Sequence, residues 1–208
     1  MKLIYRDFPN LGIVEVKLDQ KIIEQLWALI KKAKENSVSL NQFLAGNIDQ
    51  SYEIKNAKCL DPVLGSCIKN YEKRYGLPYK SLKSKMHENR YVFDSVWVNF
   101  QYQHQVNPIH NHGGGYSFVI WMKIPTEFSE QKELPFVKNS NEKDCVSNFS
   151  FMYTNILGEI KQATFPMDKN AEGRLVFFPA GLKHMVYPFY DCEEARVTIA
   201  GNLSVNQN

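Results

Sequence analysis

The sequence predicts a mainly β, α+β chain: a double-sheet jelly roll supported by N-terminal helices. Three observations predict it. From about Tyr91 onward, β-branched and aromatic residues come in short runs separated by Gly, Pro and Asn, as successive short strands require. Eight such runs can be counted, the number a double-sheet jelly roll uses. Ahead of them, apolar residues recur at helical spacing instead.

Taken in order, Ile13–Leu18 reads as a strand. Asp19–Glu35 carries an apolar stripe at Ile22, Ile23, Leu26, Trp27, Leu29, Ile30 and Ala33, with Asp19 placed to cap a helix. A second helix is expected from the cap Asp61 and Pro62, through Val63, Leu64, Cys67, Ile68 and Tyr71, to a stop at Gly76. This region, residues 1–90, reads as support without chemistry of its own. The eight barrel strands are expected at Ser95–Gln103, Pro108–His112, Tyr116–Ile124, Ser147–Thr154, Gly158–Phe165, Arg174–Phe178, His184–Pro188 and Arg196–Leu203. A polar, charged stretch at about 125–146, with Pro135 inside it, reads as an insertion over the barrel mouth or as a plain surface loop. At 208 residues the chain suits one domain with a proper core, residues 91–208 forming the barrel.

Composition narrows the function. A formal charge of +3, with Lys and Arg scattered, is too small for a nucleic-acid footprint. The densest basic stretch, Lys80–Lys85, alternates with Ser and Leu and reads as solvated. No apolar run reaches the roughly 20 residues that span a bilayer. The opening Met1–Asp7 meets an acidic residue too early for a signal peptide, so the expected location is cytoplasmic. Cys59, Cys67, Cys145 and Cys192 lack the paired spacing of zinc knuckles and read as reduced thiols.

Three of the five histidines fall in two segments, Pro108-Ile109-His110-Asn111-His112-Gly113 and Phe178-Pro179-Ala180-Gly181-Leu182-Lys183-His184. On an extended strand His110 and His112 point to one side, and a distant His184 can complete a facial set of metal ligands. Imidazole suits iron, zinc, copper and nickel alike, so the pattern names a site before it names a metal. The other reading of each histidine is a satisfied side chain near the Gly113-Gly114-Gly115 turn, which is itself either a hairpin tip or a place of close backbone approach. His104, before a turn, and His87, in a charged segment, read as solvent-facing. Phase places Asn99, Gln101 and Gln103 on one face of their strand, and Arg196, Thr198, Ala200 and Asn202 on one face of the last. An arginine facing a barrel interior needs an anion: a carboxylate ligand, or a salt bridge to Glu193, Glu194 or a glutamate of the insertion. Phe177, Phe178 and Tyr187 are expected to line the approach.

The succession Trp97-Val98-Asn99-Phe100, Asn107-Pro108-Ile109-His110-Asn111-His112, Tyr116-Ser117-Phe118-Val119-Ile120-Trp121, Gly173-Arg174-Leu175-Val176-Phe177-Phe178-Pro179 to His184, and Arg196 to Asn202 resembles the iron(II)/2-oxoglutarate-dependent oxygenases. It is most similar to a branch of small oxygenases of bacteria and phages related to the prolyl-hydroxylase-like group. The resemblance covers about half the chain. It implies a double-stranded β-helix, Fe(II) as metal and 2-oxoglutarate as co-substrate. It further implies His110 and His184 as iron ligands, with Arg196, and Thr198 beside it, on the distal carboxylate of 2-oxoglutarate. Where the superfamily usually has Asp or Glu this chain has His112, read here as the third ligand. Asn99, Gln101, Ser117 and Asn202 are candidates for hydrogen bonds to the co-substrate or to the ligands' free nitrogens. The implied reaction is hydroxylation with release of succinate and carbon dioxide. Two rivals stand beside it: a cupin-like barrel that binds a metal or small ligand without oxygenase activity, and an interaction protein whose histidines hold structural zinc. The expected partner is a small-molecule or peptide substrate; the oligomeric state is open, a homodimer among the options.

Overall fold

In the computed structural model, residues 3–4, 10–36, 39–40, 45–78 and 91–205 are described. Lys80–Lys85, His87 and most of Met1–Asp7 lie outside them. β1 (Val14–Lys17) leads into α1 (Gln20–Asn36). The Asp19 carbonyl accepts the N–H groups of Ile22 and Ile23, so the expected capping residue stands just before the helix. Leu26, Ile30 and Ala33, spaced four and three apart, form its buried stripe. Burying a side chain such as Leu26 contributes roughly 1.5–3 kcal/mol, which holds this helix to the sheet.

β2 (Gln50–Glu53) had no sequence signal, because Gln-Ser-Tyr-Glu shows neither alternation nor an apolar run; its pairing with a neighbouring strand makes it one. α2 (Asp61–Tyr75) starts differently from expectation. A turn of 3-10 helix at Lys58–Leu60 precedes it, Leu60 takes the cap position, and Asp61 is the first helical residue, where its charge complements the helix dipole. Gly76 ends the helix at φ 75°, a conformation glycine adopts without a Cβ clash, and its N–H reaches the Glu72 carbonyl.

All eight expected barrel strands are present: β3 (Tyr91–Gln101), β4 (Asn107–His110), β5 (Tyr116–Lys123), β6 (Asn148–Thr154), β7 (Ile160–Pro166), β8 (Arg174–Pro179), β9 (Lys183–Val186) and β10 (Arg196–Val205). Between β5 and β6, the stretch expected as an insertion or plain loop contains two short helices, α3 (Phe128–Gln131) and α4 (Pro135–Lys138).

The strands form two antiparallel sheets, β1-β8-β5-β10-β3-β2 and β4-β9-β6-β7. The larger sheet is covered on both faces, and alternation along its strands divides two cores. Val98, Ile120, Leu175, Phe177 and Ile199 pack with Leu26, Leu60, Leu64 and Tyr71 in the cluster that includes the helices. Trp121, Val176 and Phe178 pack with Phe149 and Phe151 of the smaller sheet. The architecture is the jelly roll the strand count predicts. No described helix is long and apolar enough to cross a membrane.

Candidate metal centre

Pairing of β4 with β9 sets His110 opposite His184. His112 lies just past β4, its N–H donating to the Ala180 carbonyl in the loop before β9. Ring centroids are 4.2 Å apart for His110 and His184, and 5.0 Å apart for His112 with either. One ligand nitrogen from each ring lies within 4.8 Å of the others. A triangle of that edge puts its centre about 2.8 Å from each corner, roughly 0.7 Å outside the metal–imidazole bonding distance of about 2.0–2.1 Å, so the rings draw closer when all three hold one ion.

The tautomer of two rings is settled by geometry. Nδ1 of His110 lies 2.7 Å from the Pro108 carbonyl oxygen, and Nδ1 of His184 lies 2.9 Å from that of Leu182. A carbonyl only accepts, so each Nδ1 carries the proton and each Nε2 keeps a lone pair for a metal. Burial lowers the pKa of His184 to about 3 and of His112 to about 4, with neighbouring imidazoles adding to both, and burial lowers that of His110 as well. At pH 7 the trio is neutral and able to ligate. Phe178, Phe149 and Phe151 pack around His184, and the Trp97 ring meets His112 edge-on.

Arg196 is fully buried and has no acidic partner among the described residues. Glu194, one of the partners expected for it, pairs with Lys123 instead. Its Nη2 donates to Ser147 Oγ at 2.8 Å, Nη1 reaches Gln101 Oε1 and the Tyr187 carbonyl at 3.3 Å each, and Nε has no partner. The guanidinium also stacks over Phe189, 4.9 Å from the ring centre. Burial lowers its pKa to about 9, which leaves it charged at pH 7. An uncompensated buried cation costs several kcal/mol, so the surroundings of Arg196 favour a negatively charged group against it.

A family profile described as "Putative 2OG-Fe(II) oxygenase" matches residues 95–202, more than half of the chain. The chain belongs to this family of 2OG-Fe(II) oxygenases. It is therefore an enzyme of the 2-oxoglutarate-dependent kind, with Fe(II) and 2-oxoglutarate as its cofactors. No curated protein matches the oxygenase by sequence. Among solved structures it is similar to a Pseudomonas putida prolyl-4-hydroxylase, at 12% identity over 94% of each chain and a TM-score of 0.53. It is similar also to a 2OG-Fe(II) family oxidoreductase from Burkholderia pseudomallei, at 10% identity over 93% of this chain and 84% of that one, TM-score 0.53. A non-heme alpha-ketoglutarate-dependent carbocyclase from nogalamycin biosynthesis shares 13% identity over 94% of this chain and 80% of that one, TM-score 0.54. At these identities the likeness is one of fold.

The residues of the oxygenase fit an iron ion: three neutral nitrogen donors converge, and the Nε of Arg196 in the same barrel is buried without a partner. Of the other predicted residues, Asn99, Gln101 and Thr198 line the cavity of about 40 Å³ against which the three histidines lie. Gln101 is fixed by donating from Nε2 to the Gln105 carbonyl at 2.7 Å, which turns its Oε1 to Arg196. Asn99 Oδ1 accepts from Ser51 Oγ at 2.7 Å. Ser117 and Asn202, cross-strand partners, bond to each other at 2.7 Å and line neither cavity at the triad. Phe177 does not line the approach: it packs on Tyr71 and Tyr116 in the helix-side core, one residue out of phase with Phe178.

Ser147 escaped the sequence reading. It is fully buried, makes the shortest hydrogen bond to Arg196, and holds φ at 48°, a left-handed backbone that a serine adopts only under constraint. A Ser-Asn pair before a strand carries no motif. The insertion also proves anchored beside it: the Gln131 amide bonds both the carbonyl and the N–H of Tyr190, and Thr126 Oγ1 lies 3.3 Å from Ser147 Oγ. A second cavity, of about 160 Å³, opens on His110 and His112 and is walled by Ile48, Ser51, Trp97, Asn99, Asn107 and Asn111 among others.

Proposed function

We propose that this oxygenase hydroxylates a small-molecule or peptide substrate, with iron(II) held by His110, His112 and His184 and 2-oxoglutarate anchored through its distal carboxylate by Arg196. The observation that carries the reading is the fully buried Arg196, with an unpartnered Nε and no described acidic partner, in a barrel whose neutral histidine trio is linked to it through Gln101. Iron(II) and 2-oxoglutarate, when bound, would supply activation of dioxygen, whose one oxygen atom would go to the substrate C–H bond and the other to succinate, with carbon dioxide released.

The chain's own residues bind, orient and exclude water. Pro108 and Leu182 carbonyls hold the His110 and His184 rings with Nε2 free. Ser147, Gln101 and the Phe189 ring hold the guanidinium fork, which matches a carboxylate bidentately, and Thr198 adds a hydroxyl on the same strand face. Asn99, fixed by Ser51, keeps its amide nitrogen for the co-substrate, while the Ser117–Asn202 pair buttresses the two strands at their far end. Phe149 and Phe178 keep the centre dry.

The substrate enters by the larger cavity, whose described lining is amides, a hydroxyl, Ile48 and the Trp97 ring beside the neutral histidines, with no Asp, Glu, Lys or Arg. Asn107 Oδ1, buried there without a partner, favours a substrate that offers an N–H or O–H group. This lining supports a polar small molecule or peptide over nucleic acid. The edge strands β1 and β2, drawn from the N-terminal region into the larger sheet, support a single domain. Four free cysteines support a cytoplasmic location.

Anaerobic titration with iron(II) and then 2-oxoglutarate tests the reading. A weak visible charge-transfer band is expected, diminished in Arg196→Ala. A cupin-like barrel without oxygenase activity gives no such band, and a structural zinc site gives loss of folding with chelator instead.

A further inference from the structure

Charge in the site does not close with 2-oxoglutarate alone. His110, His112 and His184 are neutral donors, so an iron(II) ion held by them keeps both positive charges. Arg196, fully buried, adds a third. Against these three, 2-oxoglutarate brings two negative charges. No Asp or Glu is among the described residues lining either cavity at the triad. A carboxylate in place of His112 would bring the total to zero; with histidine there, one positive charge remains in a pocket walled by Phe149, Phe178 and Val186. Unneutralised charge against such walls costs free energy that a negative group beside it offsets.

We propose that the site takes one further monoanion beside 2-oxoglutarate: a singly charged group of the substrate such as a carboxylate, or a small free anion of the same charge. The proposal rests on the reading that the trio holds iron and Arg196 holds 2-oxoglutarate. The larger cavity is where the anion fits, since it opens on His110 and His112 and offers an uncharged amide donor at the exposed Asn111. A neutral polar lining can solvate one negative charge there without adding another positive one. His112 thus acts as a selectivity residue: its neutrality is what makes room for the anion.

The test uses the full chain loaded anaerobically with cobalt(II), whose visible absorption reports its coordination, in the presence of 2-oxoglutarate and at constant ionic strength. Formate, acetate and chloride are titrated in separate series. Wild type is expected to give a saturable spectral change, and the same anion is expected to tighten 2-oxoglutarate binding by the factor by which 2-oxoglutarate tightens the anion's. His112→Asp weakens anion binding about tenfold or more, a coupling of ordinary size, whereas His112→Asn, the uncharged isostere of that aspartate, retains it. A response to formate and acetate but not chloride supports a carboxylate of the substrate as the source; a response to all three supports a free small anion. No saturable change in wild type overturns the proposal without recourse to any variant, as does equal anion affinity in His112→Asp and His112→Asn. If cobalt does not bind wild type, or Arg196→Ala leaves 2-oxoglutarate affinity unchanged, the reading beneath fails and the proposal with it.

Discussion

His110 and His184 stand in register across β4 and β9, and the Nδ1 of each is held by the carbonyl two residues earlier, that of Pro108 and that of Leu182. Two strands thereby deliver two rings of one tautomer to one point, before any metal is present. Such preorganisation lowers what binding must expend on ordering side chains.

Replacing either ring should therefore remove the metal and not the fold. His184→Ala is expected to weaken iron(II) binding by about 100-fold or more, since loss of even an outer-sphere partner commonly costs 10–100-fold. Thermal unfolding checks it: iron(II) at about 100 times its dissociation constant should stabilise wild type by about 2.7 kcal/mol and leave His184→Ala unmoved.

The metal-free protein should lose stability in mild acid. His112 and His184 have pKa values lowered to about 4 and about 3, and His110 is lowered too, while the unfolded chain takes up protons near 6.5. Groups buried in the neutral form cost nothing above 6.5. As pH falls below that value the unfolded state binds protons the folded state refuses, and stability drops until the folded rings protonate as well. Urea midpoints measured from pH 7.5 to 4.5 should fall in wild type and fall less in His184→Gln.

Ser147→Ala should raise the KM for 2-oxoglutarate about tenfold with a smaller effect on kcat. It removes the short bond that aims Arg196, and a hydrogen bond to a charged group contributes about 1.5–3 kcal/mol. Ser147→Gly relieves the backbone at φ 48° while losing the same hydroxyl, so equal KM values in the two variants would tie the effect to the hydroxyl.

Gly114→Ala should destabilise the chain by about 1–3 kcal/mol. Its φ is 89°, and an added Cβ would meet the Leu203 carbonyl oxygen at 2.9 Å. Denaturant unfolding of the metal-free protein measures it.

The barrel was legible because β3, β5, β6 and β8 carry buried apolar runs that show whatever their neighbours, while β4 and β7, without a buried residue, show through the turn residues that bound them. The trio was legible from the His-x-His spacing, although the strand expected at Pro108–His112 ends at His110 and His112 is placed by its backbone bond to Ala180 instead of by alternation; Arg196 was legible because a charge in phase with the barrel interior needs a reason. Phe177 was misplaced by proximity to Phe178, although alternation sends adjacent residues to opposite cores. β2 carries no pattern, and Ser147 works through a strained backbone angle and a contact 49 residues away, neither of which leaves a trace in the local sequence.

Anomalous diffraction at the iron edge, from crystals grown anaerobically with iron(II) and 2-oxoglutarate, bears most directly on how the site is built. One iron peak within bonding distance of His110, His112 and His184, with the distal carboxylate of 2-oxoglutarate against Arg196, is the predicted result. Iron bound elsewhere, or 2-oxoglutarate ordered without touching Arg196, would contradict it.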